Sequence, residues 1–307
     1  MHRRYLTADV FTERAFVGNP LAIVLDAEGL STAQMQQVAR EFKYAETTFI
    51  LPPADARHTA HVRIFTPGTE VPFAGHPNVG TAFALARLAR REGRDLGPVV
   101  EFEEAAGLVP VALLEEDGEV VGAELTAPES LSRRSAVAVD EVAACLSLSP
   151  EDVETSRHEP HVISVGLPFL VAELTTRDAL RRAADRPDRI ARLLPLDDGD
   201  AIYCYTRDVP PHEAPLDWQA RMFSPLDGTG EDPATGSATA ATAGLLADLA
   251  PETDGDFAWR VGQGYDLGRP SLLLPRVEKR AGRVERVRIG GRCVEVMTGS
   301  FELAGEG

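Results

Sequence analysis

At 307 residues the chain is long enough for two domains of about 150 residues each. Its net charge of −17 and pI near 4.9 argue against a nucleic-acid partner or an anionic membrane surface. It has no apolar stretch long enough for a transmembrane helix, no signal-peptide core, and only three widely spaced cysteines. We therefore expect a cytoplasmic protein without a disulfide framework, a zinc ligand set or another metal site.

The first elements in chain order are two short strands and a helix. Residues 5–11 and 21–25 are predicted strands separated by a turn. Ser31 and Gln34 fit a capping box, so a helix should begin there and end near Phe42.

The next strand, residues 43–51, carries the first candidate acid. Glu46 stands at the start of an otherwise uncharged run. Its spacing alone favours an ordinary solvated carboxylate at a strand end. A strand over 61–65 then leads into the first glycine motif, in which Gly75 and His76 precede an Ala-rich segment with almost no charge.

The middle of the chain is predicted to contain a β-meander, a domain boundary, and then both helices and strands. Acidic turns separate the meander strands, and Pro and Ser break the pattern around 126–134. We therefore predict an N-terminal domain over 1–127, a second domain over 128–292, and a C-terminal strand within 293–307 that closes the first domain. The predicted elements of the second half are a helix at 139–146, strands at 162–171 and 201–205, an arginine-rich surface helix at 177–194 broken near 187, and a loop at 208–215.

A second glycine motif lies in an acidic loop after a strand at 221–223. Glu231 and Asp232 precede Gly236, and Ser237 suits the N-cap of a helix that is uncharged to Ala247. A helix without a polar face is normally buried on all sides. The sequence thus predicts a second buried helix whose N-terminus opens onto a polar loop.

The two glycine motifs are spaced like two copies of one unit. Phe65 and Phe223 match at an offset of 158 residues, and Gly75 and Gly236 match at 161. Strands outnumber helices in each half. The sequence therefore predicts an α+β protein made of two similar halves, each with one long buried helix. Further on, Gly290 and Gly291 between two apolar strands predict a hairpin turn.

Four side chains could carry chemistry: Glu46, His76, Asp232 and Ser237. His76 and Ser237 each directly follow the glycine of their motif. A carboxylate held in an apolar cleft could take a proton from carbon and return it. Each residue also has an ordinary structural alternative. Glu46 could be a solvated acid at a strand end and His76 a structural histidine. Asp232 could be a loop acid or form an Asx turn, and Ser237 could be a plain N-cap.

The two asparagines of the chain are Asn19 and Asn78, and both lie beside glycine motifs. In a chain that otherwise lacks asparagine, each could have a specific hydrogen-bonding role. The alternative is a turn-forming residue that tolerates unusual backbone angles. The sequence does not decide between these two possibilities.

Five motifs in order along nearly the whole chain resemble the phenazine-biosynthesis PhzF-like family. They are D-V-F-T-x-x-x-F-x-G-N-P-L-A from residue 9, E-T-T-F from 46, P-F-A-G-H-P from 72, E-D-P-A-T-G-S-A from 231 and G-R-P-S from 268. The resemblance implies the fold of diaminopimelate epimerase. In that fold two pseudo-symmetric domains each wrap a barrel-like, mostly antiparallel or mixed β-sheet around a central α-helix, with the active site between them.

The resemblance also implies an activity and site residues. Glu46 matches the proton-shuttling glutamate, and His76, Asp232 and Ser237 match the residues around it. It implies an isomerase, without metal or organic cofactor, similar to trans-2,3-dihydro-3-hydroxyanthranilate isomerase. Racemases of this fold use two cysteines where this chain has Ala74 and Thr235, so a two-thiol mechanism is not expected. Cys204, the other candidate thiol, is expected to be a buried, inert strand residue.

Two other functions stay open at this stage. The chain could be a non-catalytic binder of a small carboxylate or a protein, or an amino-acid racemase or epimerase without the two-cysteine mechanism. For an enzyme we expect a small carboxylate substrate and a homodimer. The helix N-termini, with Asn19, Gly75, Asn78 and Gly236, are predicted to bind the carboxylate. The rival arrangement is an arginine clamp from Arg63, Arg221 or Arg269.

Overall fold

The computed structural model describes residues 2–210, 215–226, 228 and 230–303. Part of the predicted loop at 208–215 and the tail at 304–307, including the end of the predicted closing segment, lie outside the described residues. The chain divides into two compact units, unit 1 with residues 1–125 and 290–307 and unit 2 with residues 126–289. None of the helices in the described part of the chain is both long and apolar enough to span a membrane.

Unit 1 contains a closed barrel of eight strands. In spatial order they are β1 (His2–Val10), β2 (Asn19–Val24), β3 (Glu46–Leu51), β4 (Ala60–Phe65), β6 (Val99–Glu104), β7 (Gly107–Glu116), β8 (Glu119–Thr126) and the C-terminal half of β19 (Arg283–Glu302). The ring closes because β19 pairs with both β8 and β1. The short strand β5 (Glu70–Val71) pairs with β4.

A buried helix, α2 (Gly75–Arg91), runs through this barrel and contacts β1, β2, β3 and β7. The helix lies very close to β1 and β2 at Gly80, where an added Cβ would lie 2.7 Å from side-chain carbons of both Val10 and Leu21. A larger residue there would push the helix off the strands. Helix α1 (Thr32–Phe42) packs on the outside, and it has the predicted capping box and C-terminal residue.

Unit 2 also contains a β-sheet, and this sheet combines parallel and antiparallel strand pairs. Its strands in spatial order are β9 (Ser132–Ala136), β11 (His161–Ser164), β12 (Pro168–Leu174), β13 (Ile202–Thr206), β14 (Trp218–Ser224), β17 (Val261–Gln263) and β18 (Ser271–Arg280). Three short strands add to it: β10 (Val153–Glu154) on β12, β15 (Gly230–Asp232) on β14 and β16 (Gly255–Ala258) on β18.

The central helix of unit 2 is α6 (Gly236–Leu249), which is almost entirely buried and contacts β11, β12 and β18. The outer helices are α3 (Val139–Cys145), α4 (Arg177–Arg182) and α5 (Pro187–Leu193), beside a 3₁₀ turn at Pro150–Asp152. A polar helix broken near Pro187 was predicted there, and the structure has two short helices. The predicted α+β class is confirmed.

The predicted hairpin at Gly290 and Gly291 is wrong. Both glycines lie inside the continuous strand β19, and the turn before it is Ala281-Gly282, where both φ angles are positive. The glycines serve close backbone packing instead. A Cβ on Gly122 of β8 would lie 2.1 Å from the Gly291 carbonyl oxygen, and one on Gly290 would lie 2.9 Å from that of Ala123.

Candidate active site

The candidate site of unit 1 is centred on Glu46 and His76. Glu46 is the first residue of β3, beside Leu21 of the parallel strand β2, and His76 is the second residue of α2. The Glu46 Oε2 and His76 Nε2 atoms are 3.5 Å apart. The Glu46 side chain is 19% exposed and the His76 side chain 5%. The Glu46 side chain is therefore partly exposed, although its Oε2 atom is buried, and the imidazole is enclosed by protein.

His76 is neutral and its proton is on the nitrogen that faces Glu46. Burial lowers the pKa of His76 to about 3, so the ring carries no charge at neutral pH. The Asn19 Nδ2 atom lies 3.3 Å from His76 Nδ1. An amide nitrogen only donates, so Nδ1 must accept and Nε2 must carry the hydrogen. The imidazole thus presents an N–H group toward the Glu46 carboxylate.

Asn19 is positioned by a glycine that no other residue can replace without strain. Gly18 has a φ of +76°, and a Cβ there would lie 2.5 Å from the Val10 carbonyl oxygen. Asn19 then begins β2 and its side chain reaches the imidazole. Asn78 lies in α2, where its Nδ2 atom donates to the Ala74 carbonyl oxygen at 3.1 Å.

Neither asparagine has a positive φ. The structure therefore favours hydrogen-bonding roles for both over the turn-forming alternative.

The candidate residues of unit 2 form a second hydrogen-bonded cluster. Asp232 ends β15 and is buried, and its Oδ2 atom accepts from Thr235 Oγ1 at 2.5 Å. The Gln263 side chain accepts from the Thr235 backbone N–H at 3.0 Å and donates to the Asp232 carbonyl oxygen at 2.9 Å. Asp232 is therefore held in one orientation by its surroundings, which a freely solvated loop acid would not be.

The prediction that Ser237 is the N-cap of its helix is wrong. The N-cap of α6 is Thr235, so Gly236 is the first helical residue and Ser237 the second. The cap lies two residues earlier than predicted, where Gln263 accepts from the Thr235 backbone N–H and the Thr235 hydroxyl bonds Asp232 instead of an α6 amide. Ser237 and His76 nevertheless hold equivalent positions, each second in its helix.

Both central helices begin without a side-chain cap. Ala74 and Thr235 are the N-cap residues, and neither side chain bonds a first-turn N–H group. The first turns also contain no acidic residue. The partial positive charge of each helix N-terminus is therefore not offset by a side chain of its own first turn.

Two of the three arginines of the rival clamp are fixed in ion pairs that the sequence analysis missed. Arg63 binds both carboxylate oxygens of Glu70 at 2.7 and 2.6 Å, and Arg221 binds both of Glu231 at 2.7 Å. Each guanidinium also lies over a phenylalanine two residues on, at 5.2 and 4.8 Å from the ring centroid. These bidentate pairs occupy matching places in the repeat, so Glu231 serves the framework of unit 2.

The cysteines are buried and protonated. The sulfur of Cys204 in β13 faces the Arg221 carbonyl oxygen at 3.7 Å, and burial raises its pKa to about 12. Burial also raises the pKa of Cys293 to about 12, and the pKa of Cys145 is raised as well. A thiolate nucleophile or base at these positions is therefore disfavoured, in line with the expected inert role of Cys204.

Comparison with known proteins links the chain to one family. The family model described as phenazine biosynthesis-like protein matches residues 8–299. The trans-2,3-dihydro-3-hydroxyanthranilate isomerase of Pseudomonas chlororaphis is 36% identical over 309 residues, spanning 99% of this chain and 100% of that protein. An uncharacterized isomerase of Mesorhizobium japonicum is 37% identical, spanning 97% of this chain and 98% of that protein.

The solved structures support the same fold. The Bacillus anthracis phenazine biosynthesis protein of the PhzF family superposes with a TM-score of 0.87 at 24% identity, over 99% of this chain and all of that one. At that identity the likeness concerns the fold alone. The family resemblance and fold class expected from the sequence are confirmed.

Proposed function

The chain belongs to the phenazine biosynthesis-like protein family, and from its site we propose that it is a cofactor-independent isomerase. The reaction moves a proton between carbons of a small cyclic carboxylate, similar to that of trans-2,3-dihydro-3-hydroxyanthranilate isomerase. The observation that carries this proposal is the contact between the carboxylate of the partly exposed Glu46 side chain and a neutral imidazole N–H of His76.

Glu46 is the acid and base of the proposed reaction. Its carboxylate takes a proton from one substrate carbon and, as a carboxylic acid, returns a proton to another, so the two steps leave the enzyme unchanged. The His76 N–H is positioned to hydrogen-bond the carboxylate or the electron-rich intermediate. The 3.5 Å contact is longer than an ordinary hydrogen bond, as is common in sites without substrate.

We propose that the N-terminus of α2 binds the substrate carboxylate. The net charge of −17 disfavours an anion at long range, so binding needs a local source of positive potential. The uncapped N-terminus of α2 is such a source, typically about 0.3–1 kcal/mol at an exposed site and up to about 2 kcal/mol when partly buried. Because Arg63 and Arg221 are held by Glu70 and Glu231, we favour backbone amides over an arginine clamp.

The unit 2 residues are proposed to take part as well. The Asp232 carboxylate is oriented by Thr235, and Ser237 holds the position in α6 that His76 holds in α2. We assign Asp232 and Ser237 to substrate binding and proton handling.

Two alternatives are less well supported. A racemase of this fold would need another pair of bases in place of thiols, since the cysteines are buried and strongly protonated. A non-catalytic carboxylate binder does not require a carboxylate beside an oriented imidazole, because an amide or hydroxyl would serve binding without desolvating a charge.

The proposal is tested by turnover. Trans-2,3-dihydro-3-hydroxyanthranilate, both enantiomers of proline, and buffer alone are incubated with the purified protein and followed by proton NMR. We expect ring-proton migration in the dihydro acid and no racemisation of proline. Proline racemisation would support the racemase instead. Binding of the dihydro acid without any change in its spectrum would support the binder.

Activity is expected to survive removal of metals. Among the described residues, no group of three His, Cys, Asp or Glu side chains is arranged to hold a metal ion. Exhaustive dialysis against a chelator should therefore leave turnover within about 20% of the untreated rate, and added Mg²⁺ or Zn²⁺ should not raise it. A loss of turnover that a metal restores would refute the cofactor-independent mechanism.

A further inference from the structure

Glu104, the last residue of β6, is a buried carboxyl group that the proposed mechanism leaves unexplained. The residue is 9% exposed, and neither carboxyl oxygen has a hydrogen-bond partner in the described structure. A buried ionised carboxylate without a donor is costly to fold. The Glu104 carboxyl must therefore either accept a hydrogen bond from a nearby donor or be protonated.

Asn78, in the first turns of α2, lies close enough to this carboxyl to influence its pKa. The Asn78 Nδ2 atom donates to the Ala74 carbonyl oxygen at 3.1 Å, and its Oδ1 atom has no hydrogen-bond partner. Turning the amide over would bring Oδ1 against the Ala74 carbonyl oxygen, two acceptors in contact. The Asn78 amide keeps a second N–H and an Oδ1 atom without a partner, so a protonated Glu104 can accept from Nδ2 and also donate to Oδ1, whereas an ionised Glu104 could not donate.

The internal repeat supports a neutral residue at this place. In unit 1, β4 pairs in parallel with β6 so that Ala60 lies beside Phe102. In unit 2, β14 pairs in parallel with β17 so that Trp218 lies beside Val261. Two residues further along, Glu104 and Gln263 occupy equivalent positions. Gln263 is the neutral isostere of a protonated glutamate, and it hydrogen-bonds the residues at the start of α6.

We propose that Glu104 is a neutral carboxylic acid that donates to Asn78 Oδ1 and so positions the first turn of α2, which carries His76. Asn78 in turn bonds the Ala74 carbonyl oxygen at the N-cap of the same helix. Glu104 acts through Asn78 and does not touch the reacting atoms, so it is a positioning residue. Its counterpart in unit 2 uses an amide for the same task.

The environment of Glu104 fits a protonated acid. Burial raises the pKa of Glu104 to about 8, and the nearby Asn78 amide N–H, which favours the ionised form, lowers it by less. On β6 its neighbour Glu103 bonds His58, and on β7 its partner is Gly107. On α2 the nearby titratable side chain is His76, which is neutral.

The direction of the pH effect follows from this raised pKa. The unfolded chain releases the Glu104 proton near the ordinary value of 4.5, and the folded chain releases it near 8. The stability that the protonated group contributes is therefore present at low pH and is lost as the pH rises through about 8. Above that pH the carboxylate and Asn78 Oδ1 repel each other, and the start of α2 loses this support.

Histidine NMR tests the proposal without needing turnover. Protein labelled with ¹⁵N-histidine is titrated from pH 6 to 9.5, and a His76→Asn sample assigns the His76 ring signals. We expect the His76 signals of the wild type to shift with a midpoint near pH 8, although the ring itself stays neutral. Glu104→Gln should abolish that shift. Glu101→Gln, the same change on a partly exposed residue of the same strand, should leave it unchanged.

Opposite outcomes would overturn the proposal. One is a His76 signal that does not move in the wild type, and another is a midpoint near pH 8 that persists in Glu104→Gln. Failure of Glu104→Gln to fold would also contradict it, because glutamine reproduces the neutral residue. Only the further expectation, that Glu104→Gln removes a loss of turnover above pH 8, rests on the proposed function.

Discussion

Replacing Glu46 by glutamine is expected to lower turnover by about 10²–10⁴-fold, the usual contribution of a general acid–base. This corresponds to about 3–5 kcal/mol of transition-state stabilisation. The amide keeps the shape of the side chain and can still contact the His76 N–H, but it cannot take a proton from carbon. The measurement is kcat by proton NMR, with circular dichroism and thermal unfolding as checks of the fold.

Glu41→Gln is the matched control, because Glu41 is an exposed residue of α1 and undergoes the same chemical change. It should leave kcat within about twofold of wild type. Glu46→Gln with nearly wild-type kcat would remove Glu46 as the acid and base, whatever its effect on KM. A variant with lost activity and a lower unfolding temperature would instead point to a structural role.

Truncation after Gly290 should unfold unit 1. The segment removed contains Cys293–Glu302, which pairs antiparallel with His2–Val10 of β1 with one register shift, and it belongs to the strand that also pairs with β8. Without it β1 loses its β19 partner, β8 loses part of its pairing, and the buried helix α2 loses part of its enclosure. The expected loss is the cooperative stability of the unit, of the order of 5–15 kcal/mol for an ordinary domain.

Hydrogen exchange measured peptide by peptide decides this prediction. In the truncated chain we expect loss of protection in β1, β8 and α2. The matched control is truncation after Leu303, which leaves all of β19 in place and should keep wild-type protection. If protection were lost only within residues 126–289 while β1 and β8 stayed protected, the C-terminal strand would not be what closes the barrel.

The features that the sequence predicted well are those marked by a repeated pattern of apolar residues. The uncharged segments after Gly75 and Gly236 are both buried helices, and the common offset between the motifs reflects two sheets of similar construction. Burial leaves a strong trace in sequence because a charge is rarely tolerated in such a helix. The family motifs then fixed the fold class, since they lie in order along nearly the whole chain.

Ion-pair partners and positions of close backbone packing were harder to predict from the sequence than the buried helices. In the bidentate pairs of Arg63 with Glu70 and of Arg221 with Glu231, the arginines follow the offset of the phenylalanines and the glutamates that of the glycines. One charged residue among many nevertheless carries little signal alone. Gly290 and Gly291 look like a turn in sequence, whereas they permit contact with a neighbouring strand that is far away in the chain.

The identity of the N-cap of α6 also depended on a distant residue, Gln263, which takes the backbone N–H of Thr235. Glu104 was missed for a similar reason. Its equivalence to Gln263 is visible only after the parallel strand pairings of both units are known.

The central claim is that this chain moves a proton between substrate carbons through Glu46. Its most direct test is position-specific deuterium labelling in ²H₂O after many turnovers of trans-2,3-dihydro-3-hydroxyanthranilate. We predict deuterium at the reacting ring carbons with wild type, because the Glu46 side chain is partly exposed and its proton can exchange with solvent between turnovers, and none with Glu46→Gln. Product that accumulates without deuterium, or equal labelling by both proteins, would contradict the account.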